Sequence, residues 1–250
     1  MAWGSVGTLG SGQEKTSDDS LVLTTSAAAE VGNVIIVAMG FDNIGTTDGD
    51  LSEVASVVDS AGNTYTKLKE QTNGNGAAAA GGTVSLWYTK VTSELALGGT
   101  ITATLSAAVT AKAISAWEFS VTAGATITLE GSTSAVHDLA DPAAMTIDSL
   151  ANQEYLWFVA DVEETPNTGT YTPDADYTAI DKNGTTGDAG ATNILVAGGF
   201  RIFTGTADTY DADTGADRDG AQVYVALKEA VAAGGDGRVF GVLQPMGIIF

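Results

Sequence analysis

The chain has 250 residues, with 31 Asp and Glu against 10 Lys and Arg, giving a formal charge of −21 at pH 7. That balance excludes nucleic acid as a partner, because binding it needs clustered cations to displace phosphate counterions, and it disfavours an anionic membrane surface. There is no Cys, so disulfides and thiolate metal sites are excluded as well.

Residues 1–16 read as an N-terminal extension. The stretch "MAWGSVGTLGSG" is rich in Gly and Ser, offers Trp3 and Val6 as anchors, and lacks the basic start and apolar run of a secretory signal. Residues 17–133 read as a first β lobe. In it "VIIVAMGF" is continuously apolar, as expected of a central strand covered on both faces, and is too short to span a bilayer. "GTITATLS" alternates, with Ile101, Ala103 and Leu105 on one face. "AKAISAWEFSV" alternates imperfectly, placing Ala113, Trp117, Phe119 and Val121 inward and Lys112, Glu118 and Ser120 outward. The stretch "STSAVHDLADP" reads as a short connector, with the lobes meeting near residues 134–141.

Residues 142–230 read as a second lobe. It opens with the apolar "YLWFVA" and closes with "AQVYVALK", in which Val223, Val225 and Leu227 share a face. The second half repeats the first. "VGNVIIVAMGFDN", "GGTVSLWYTKVTS" and "KAISAWEFS" match in order "ANQEYLWFVADVEE", "NILVAGGFRIFTG" and "AQVYVALKE". With Gly, Asn, Asp and Ser turns between β-branched runs and no 3.6-residue period, the fold class is all-β, a β-sandwich or jelly roll. The repeat admits two closely packed related lobes, which we favour, or one larger sandwich fed by both halves.

His137 is the only histidine, and any Ser-His-Asp site would need it. It lies in the connector, without a Gly-x-Ser-x-Gly elbow, and reads as an ordinary surface histidine. The acids Asp42, Asp48 and Asp50, then Asp161, Glu163 and Glu164, then those from Asp208 onward, read as loop-borne solvated charge. A glycosidase would instead need a carboxylate pair across a cleft.

The densest acidic run is "DTYDADTGADRDG". Asp211, Asp213, Asp217 and Asp219 would supply the hard oxygen ligands that Ca²⁺ takes. The run departs from an EF-hand at Ala216, where that motif needs Gly, and at Gln222, where it needs Glu. A solvated hairpin tip is the competing reading. Trp87, Trp117 and Trp157 lie in apolar strand patterns and read as core. Tyr65, Tyr171, Tyr177 and Tyr210 sit among polar residues and read as exposed contacts.

The succession "EVASVVDSAGNTYTKL", "VSLWYTKVTS", "GGTITATLS", "KAISAWEFSV", within residues 31–121, resembles a β-rich segment that recurs in virion structural proteins of tailed bacteriophages. The resemblance implies a non-enzymatic protein of the virion, assembling in many copies. A capsid decoration or cement protein is the reading we favour, with its own copies, other virion proteins and the major capsid protein as partners. The alternative is a carbohydrate-binding or adhesion module of a tail fibre or cell surface, and after it a β-sandwich hydrolase.

Residues 231–250 read as a flexible lead, containing "AAGGDGR", and an apolar strip, "VFGVLQPMGIIF". Phe240, Val242, Leu243, Met246, Ile248, Ile249 and Phe250 read as a docking segment for a partner's groove or sheet edge. The competing reading makes the strip the last strand of its own lobe.

Overall fold

The structure is a computed structural model that describes residues 3–187 and 192–230. The strands of the first half are β1 (Gly4–Glu14), β2 (Asp18–Thr24), β3 (Val34–Asp42), β4 (Val54–Asp59), β5 (Thr66–Thr72), β6 (Gly82–Lys90), β7 (Thr100–Val109) and β8 (Lys112–Ser120). They form an antiparallel sheet in the order β1-β8-β3-β6-β5 and a smaller one in the order β2-β7-β4. The second half contributes β9 (Thr126–Ala140), β10 (Met145–Ile147), β11 (Gln153–Glu163), β12 (Thr178–Ala179), β13 (Asn183–Gly184), β14 (Leu195–Gly205), β15 (Asp208–Tyr210) and β16 (Arg218–Ala230). Its large sheet runs β12-β14-β11-β16-β9, with β13 also on β14, and its small one is β10-β15.

The two halves wind alike. β9, β16, β11 and β14 stand beside one another as β1, β8, β3 and β6 do, and β10-β15 answers β2-β7. The three segment pairs matched in the sequence are β3 with β11, β6 with β14 and β8 with β16. The fold is an all-β stack of antiparallel sheets, of β-sandwich type.

Apolar side chains fill three layers. One lies within the first half, where Ile35, Val37 and Met39 of β3 and Ile114 of β8 meet Leu21, Leu23, Ile101 and Leu105. A second lies between the two large sheets. There Val34, Ile36 and Ala38, with Trp117 and Phe119, pack on Leu156 and Phe158 of β11, Phe200 of β14 and Val223 and Val225 of β16. The Phe119 ring stands edge-on to Phe200 at 5.0 Å and to Phe158 at 6.2 Å. The third layer covers the far face of β11 and β16, where Tyr155, Trp157 and Tyr224 meet Met145, Ile147 and Tyr210. Alternate residues of β3 and β11 therefore enter different cores, which is why both strands are apolar throughout. The large sheets approach closely at Gly40, where an added Cβ would stand 2.6 Å from Val162 Cγ2.

Four expectations need correction. The N-terminal segment is no extension: β1 pairs with β8 over its length, and Trp3 is buried edge-on to Phe119 at 6.4 Å, while Val6 is 55% exposed. The lobe boundary does not fall at residues 134–141, because all of that stretch but Asp141 belongs to β9, which pairs with β16. By sheet membership the halves divide between β8 and β9. The alternation in β8 separates two cores rather than core from solvent, so Lys112 and Glu118 are buried. Lys112 Nζ donates to Thr16 O at 2.6 Å and pairs with Asp18 at 2.9 Å, and Glu118 accepts from Glu30 N and Asn33 Nδ2. Finally, Tyr65, Tyr177 and Tyr210 are buried and Tyr171 half-buried, so none is an open contact surface. The expected core positions of Trp87, Trp117 and Trp157 hold.

Trp117 stands 5.3 Å from Phe200 across the central layer. Trp117→Ala should therefore lower stability by roughly 3–5 kcal/mol, as large aromatic truncations in cores do. Gly40→Ala should cost about 1–3 kcal/mol through overpacking against Val162. Guanidinium unfolding of both variants checks the pair, and parental midpoints would mean that the large sheets are not packed face to face.

Candidate functional site

The residues that gather chemistry lie where β11 ends. Tyr155, Trp157 and Val159 enter the third core layer, and the same parity continues into Asp161 and Glu163. Val162, between them, belongs to the central layer. Both acids are buried, so they are not the loop-borne surface charge expected of them, and Glu164 beside them is buried too.

Asp161 is held by two neighbours. Gln222 of β16 donates Nε2–H to its Oδ2 at 2.7 Å, and His137 of β9 places Nε2 at 3.5 Å from its Oδ1. His137 Nδ1 lies 3.0 Å from the Arg218 carbonyl. A carbonyl only accepts, so Nδ1 carries a hydrogen and the Nε2–Asp161 contact shares any further proton. His137 is thus an interior residue, not a surface one. The ring crosses β16 where Gly220 leaves room, since a Cβ there would stand 2.6 Å from Nε2. Burial pulls His137 towards the neutral form, but the hydrogen bond and charge of Asp161 outweigh it and raise its pKa. Burial raises Asp161 more than His137 lowers it. Both directions mean that the pair keeps its proton to higher pH than a free histidine would.

Glu163 has no such partner. It is 1% exposed, and its Oε1 makes no hydrogen bond. Burial, then the charge of Asp161, pushes its pKa up from 4.5 to about 9, so the carboxyl is neutral at pH 7. Glu164 rises to about 7, through burial and then the charges of Asp219 and Asp42. Glu163 and Arg218 line a hollow of about 450 Å³ between residues 165–170 and 214–218, walled mainly by threonines and glycines. Lys182 ties the first wall by donating to the Gly169 carbonyl. Thr214 ties the second, its backbone N–H donating to Asp141 Oδ1 at 3.0 Å.

The four aspartates read as calcium ligands are dispersed. Asp211, Asp213 and Asp217 are exposed. Asp213 Oδ1 accepts from Gly215 N at 2.6 Å, and the Asp219 carboxylate accepts from Leu139 N at 2.7 Å and Asn75 Nδ2 at 3.2 Å. Among the described residues no three His, Asp or Glu side chains assemble as ligands for one ion. The run is not a hairpin tip either, because it leads from β15, paired with β10, to β16, paired with β9 and β11. The docking residues Phe240, Val242, Leu243, Met246, Ile248, Ile249 and Phe250 lie outside the described residues.

Sequence reasoning missed Asp161, Glu163 and His137 as a group. The usable signal was the phase of "YLWFVADVEE": two acids continue one face of a strand that is apolar on both.

No family model, no curated protein and no solved structure matches the chain.

A group whose pKa is higher in the folded than in the unfolded chain stabilises the fold below its unfolded pKa, and that stability is lost as pH rises through the folded value. Glu163, Glu164 and His137 all have this sign. The melting temperature should therefore rise by several degrees as pH falls from about 9 towards 4.5, the folded and ordinary values of Glu163. Glu163→Gln should flatten the alkaline part of this curve. Thermal melts across the range decide it, and a parental slope in the variant would show that Glu163 is ionised in the folded chain.

Proposed function

We propose that the chain is a structural subunit of a tailed-phage virion, a non-enzymatic capsid decoration or cement protein that assembles in many copies on the major capsid protein. The observation that carries this reading is the strand order. The order β1-β8-β3-β6 over β2-β7-β4 supports a jelly-roll reading, in which β5 would have moved to the edge beside β6, and the second half follows the same course. Jelly rolls recur in viral capsid domains, though also in lectins. Support comes as well from the phage-like succession of segments within residues 31–121.

Physical considerations agree with a particle-bound role. Two sandwiches fused through a shared apolar layer make a stiff block. A charge of −21 keeps free subunits apart, and salt relieves the repulsion once they crowd on a surface. The strip at residues 239–250 would supply the adhesive contact, since its apolar area is worth on the order of 25 cal/mol per Å² before ordering costs.

Sedimentation with emptied capsids of the encoding phage, followed by negative-stain imaging, tests the proposal. Saturable binding at symmetric positions is expected. Deleting residues 239–250 should leave the β content unchanged and abolish binding, with Ile248→Asp weakening it more than Phe250→Ala. A full-length chain that ignores capsids, or a truncated one that unfolds, would count against the reading and against docking respectively.

A further inference from the structure

The hollow at the end of β11 has no part in the reading above and must be explained on its own terms. The first half contains its counterpart. At the end of β3, beside the segment leading into β8, Asp42 lines a hollow of about 180 Å³. There the carboxylate is engaged, accepting the Ala111 N–H at 3.1 Å. At the end of β11, beside the segment leading into β16, the hollow is about 450 Å³ and Glu163 Oε1 is unpartnered. Corresponding loops of the two windings thus frame hollows of different size, the larger one beside the unpartnered acid. An unsatisfied carboxyl oxygen in a buried position costs free energy. Glu163 lines this hollow, so its carboxyl borders the space that a ligand would fill.

The chemistry of the walls selects the ligand. A metal ion would meet Arg218 and would find no cluster of ligating side chains among the described residues. An anion would gain Arg218 and, farther off, Lys182, but would also meet the charges of Asp161 and Asp141 in a chain of net charge −21. A neutral molecule escapes both penalties. Thr168 and Thr170 are exposed on one wall, and their hydroxyls both donate and accept, as does a protonated carboxyl. The complement of such a surface is another set of hydroxyls. A volume of about 450 Å³ falls in the lower part of the range for small-molecule pockets, roughly 300–1,000 Å³.

We infer that this hollow is a binding site for a neutral sugar, a mono- or disaccharide, whose hydroxyls pair with the buried Glu163 carboxyl and with Thr168, Thr170 and Arg218. This site is independent of the virion reading. A decoration protein that binds sugar would add a glycan contact to the particle surface, and the pocket stands equally if the chain never touches a capsid.

The test uses the full-length ¹⁵N-labelled chain titrated separately with glucose, galactose, mannose and N-acetylglucosamine, and with calcium chloride and sodium acetate as controls. Saturable shifts of the Gly169, Gly215 and Ala216 amides with at least one sugar are expected. Thr170→Val should weaken that sugar by about tenfold, because an apolar group then faces a ligand hydroxyl. Glu163→Leu should weaken it at least as much, and Glu163→Gln, which keeps a donor and an acceptor, should weaken it less. Thr170 is exposed, so its variant reads the site even if Glu163→Leu fails to fold. The inference is overturned if no sugar moves these amides, if only calcium or acetate does, or if Thr170→Val binds like the parent.

Discussion

The contact between the two large sheets leaves their central strands without a solvent face. β3 and β8 from one half, and β11 and β16 from the other, each lie between two apolar layers. Every residue of β3 is buried as a result. Close approach then limits side-chain size at the contact, which is why Gly40 and Gly82 stand against Val162, where a Cβ on Gly82 would come within 3.0 Å of Cγ1. Interlobe hydrogen bonds follow at the margins. Asn73 Nδ2 donates to His137 O at 2.9 Å, Ser134 Oγ donates to Gln71 Oε1 at 2.8 Å, and Asn183 Nδ2 reaches Ile114 O at 3.2 Å.

An acid placed on or near strands of this kind is carried into the interior, and burying a charge is costly unless it is paired or neutralised. The chain meets that cost in three ways. Glu70 accepts the backbone N–H groups of Glu53 at 2.6 Å and Val54 at 3.2 Å, although burial still raises its pKa. Asp161 shares a proton with His137 and accepts from Gln222. Glu163 is neutralised by protonation. The third solution leaves an oxygen without a partner.

The polar interior of the second half also has a tyrosine-lined part. The Tyr177 and Tyr224 hydroxyls lie 2.6 Å apart and share hydrogens with Asp208 Oδ2, which stands 2.6 and 3.0 Å from them. Arg201 lies 3.3 Å from the same carboxylate and covers the Phe203 ring at 4.2 Å. These groups satisfy one another, unlike Glu163, so the network fixes the small β10-β15 sheet on the large one and has no vacancy for a ligand.

Much of the architecture was legible in the residues. Continuous apolar runs identified β3 and β11 as central strands, alternation placed Ile101, Ala103 and Leu105 in a core, and the internal repeat paired the correct strands of the two halves. These features depend on local period and composition, which a sequence carries openly. Which polar residues would be interior was not legible. Lys112, Glu118, His137, Asp161 and Glu163 occupy polar phases or ends of strands, and a polar phase faces water in a two-layer sandwich. Here a second large sheet or a covering segment, contributed from far along the chain, lies over that face. Local period states that a strand has two faces; only the packing of distant strands decides whether water reaches both.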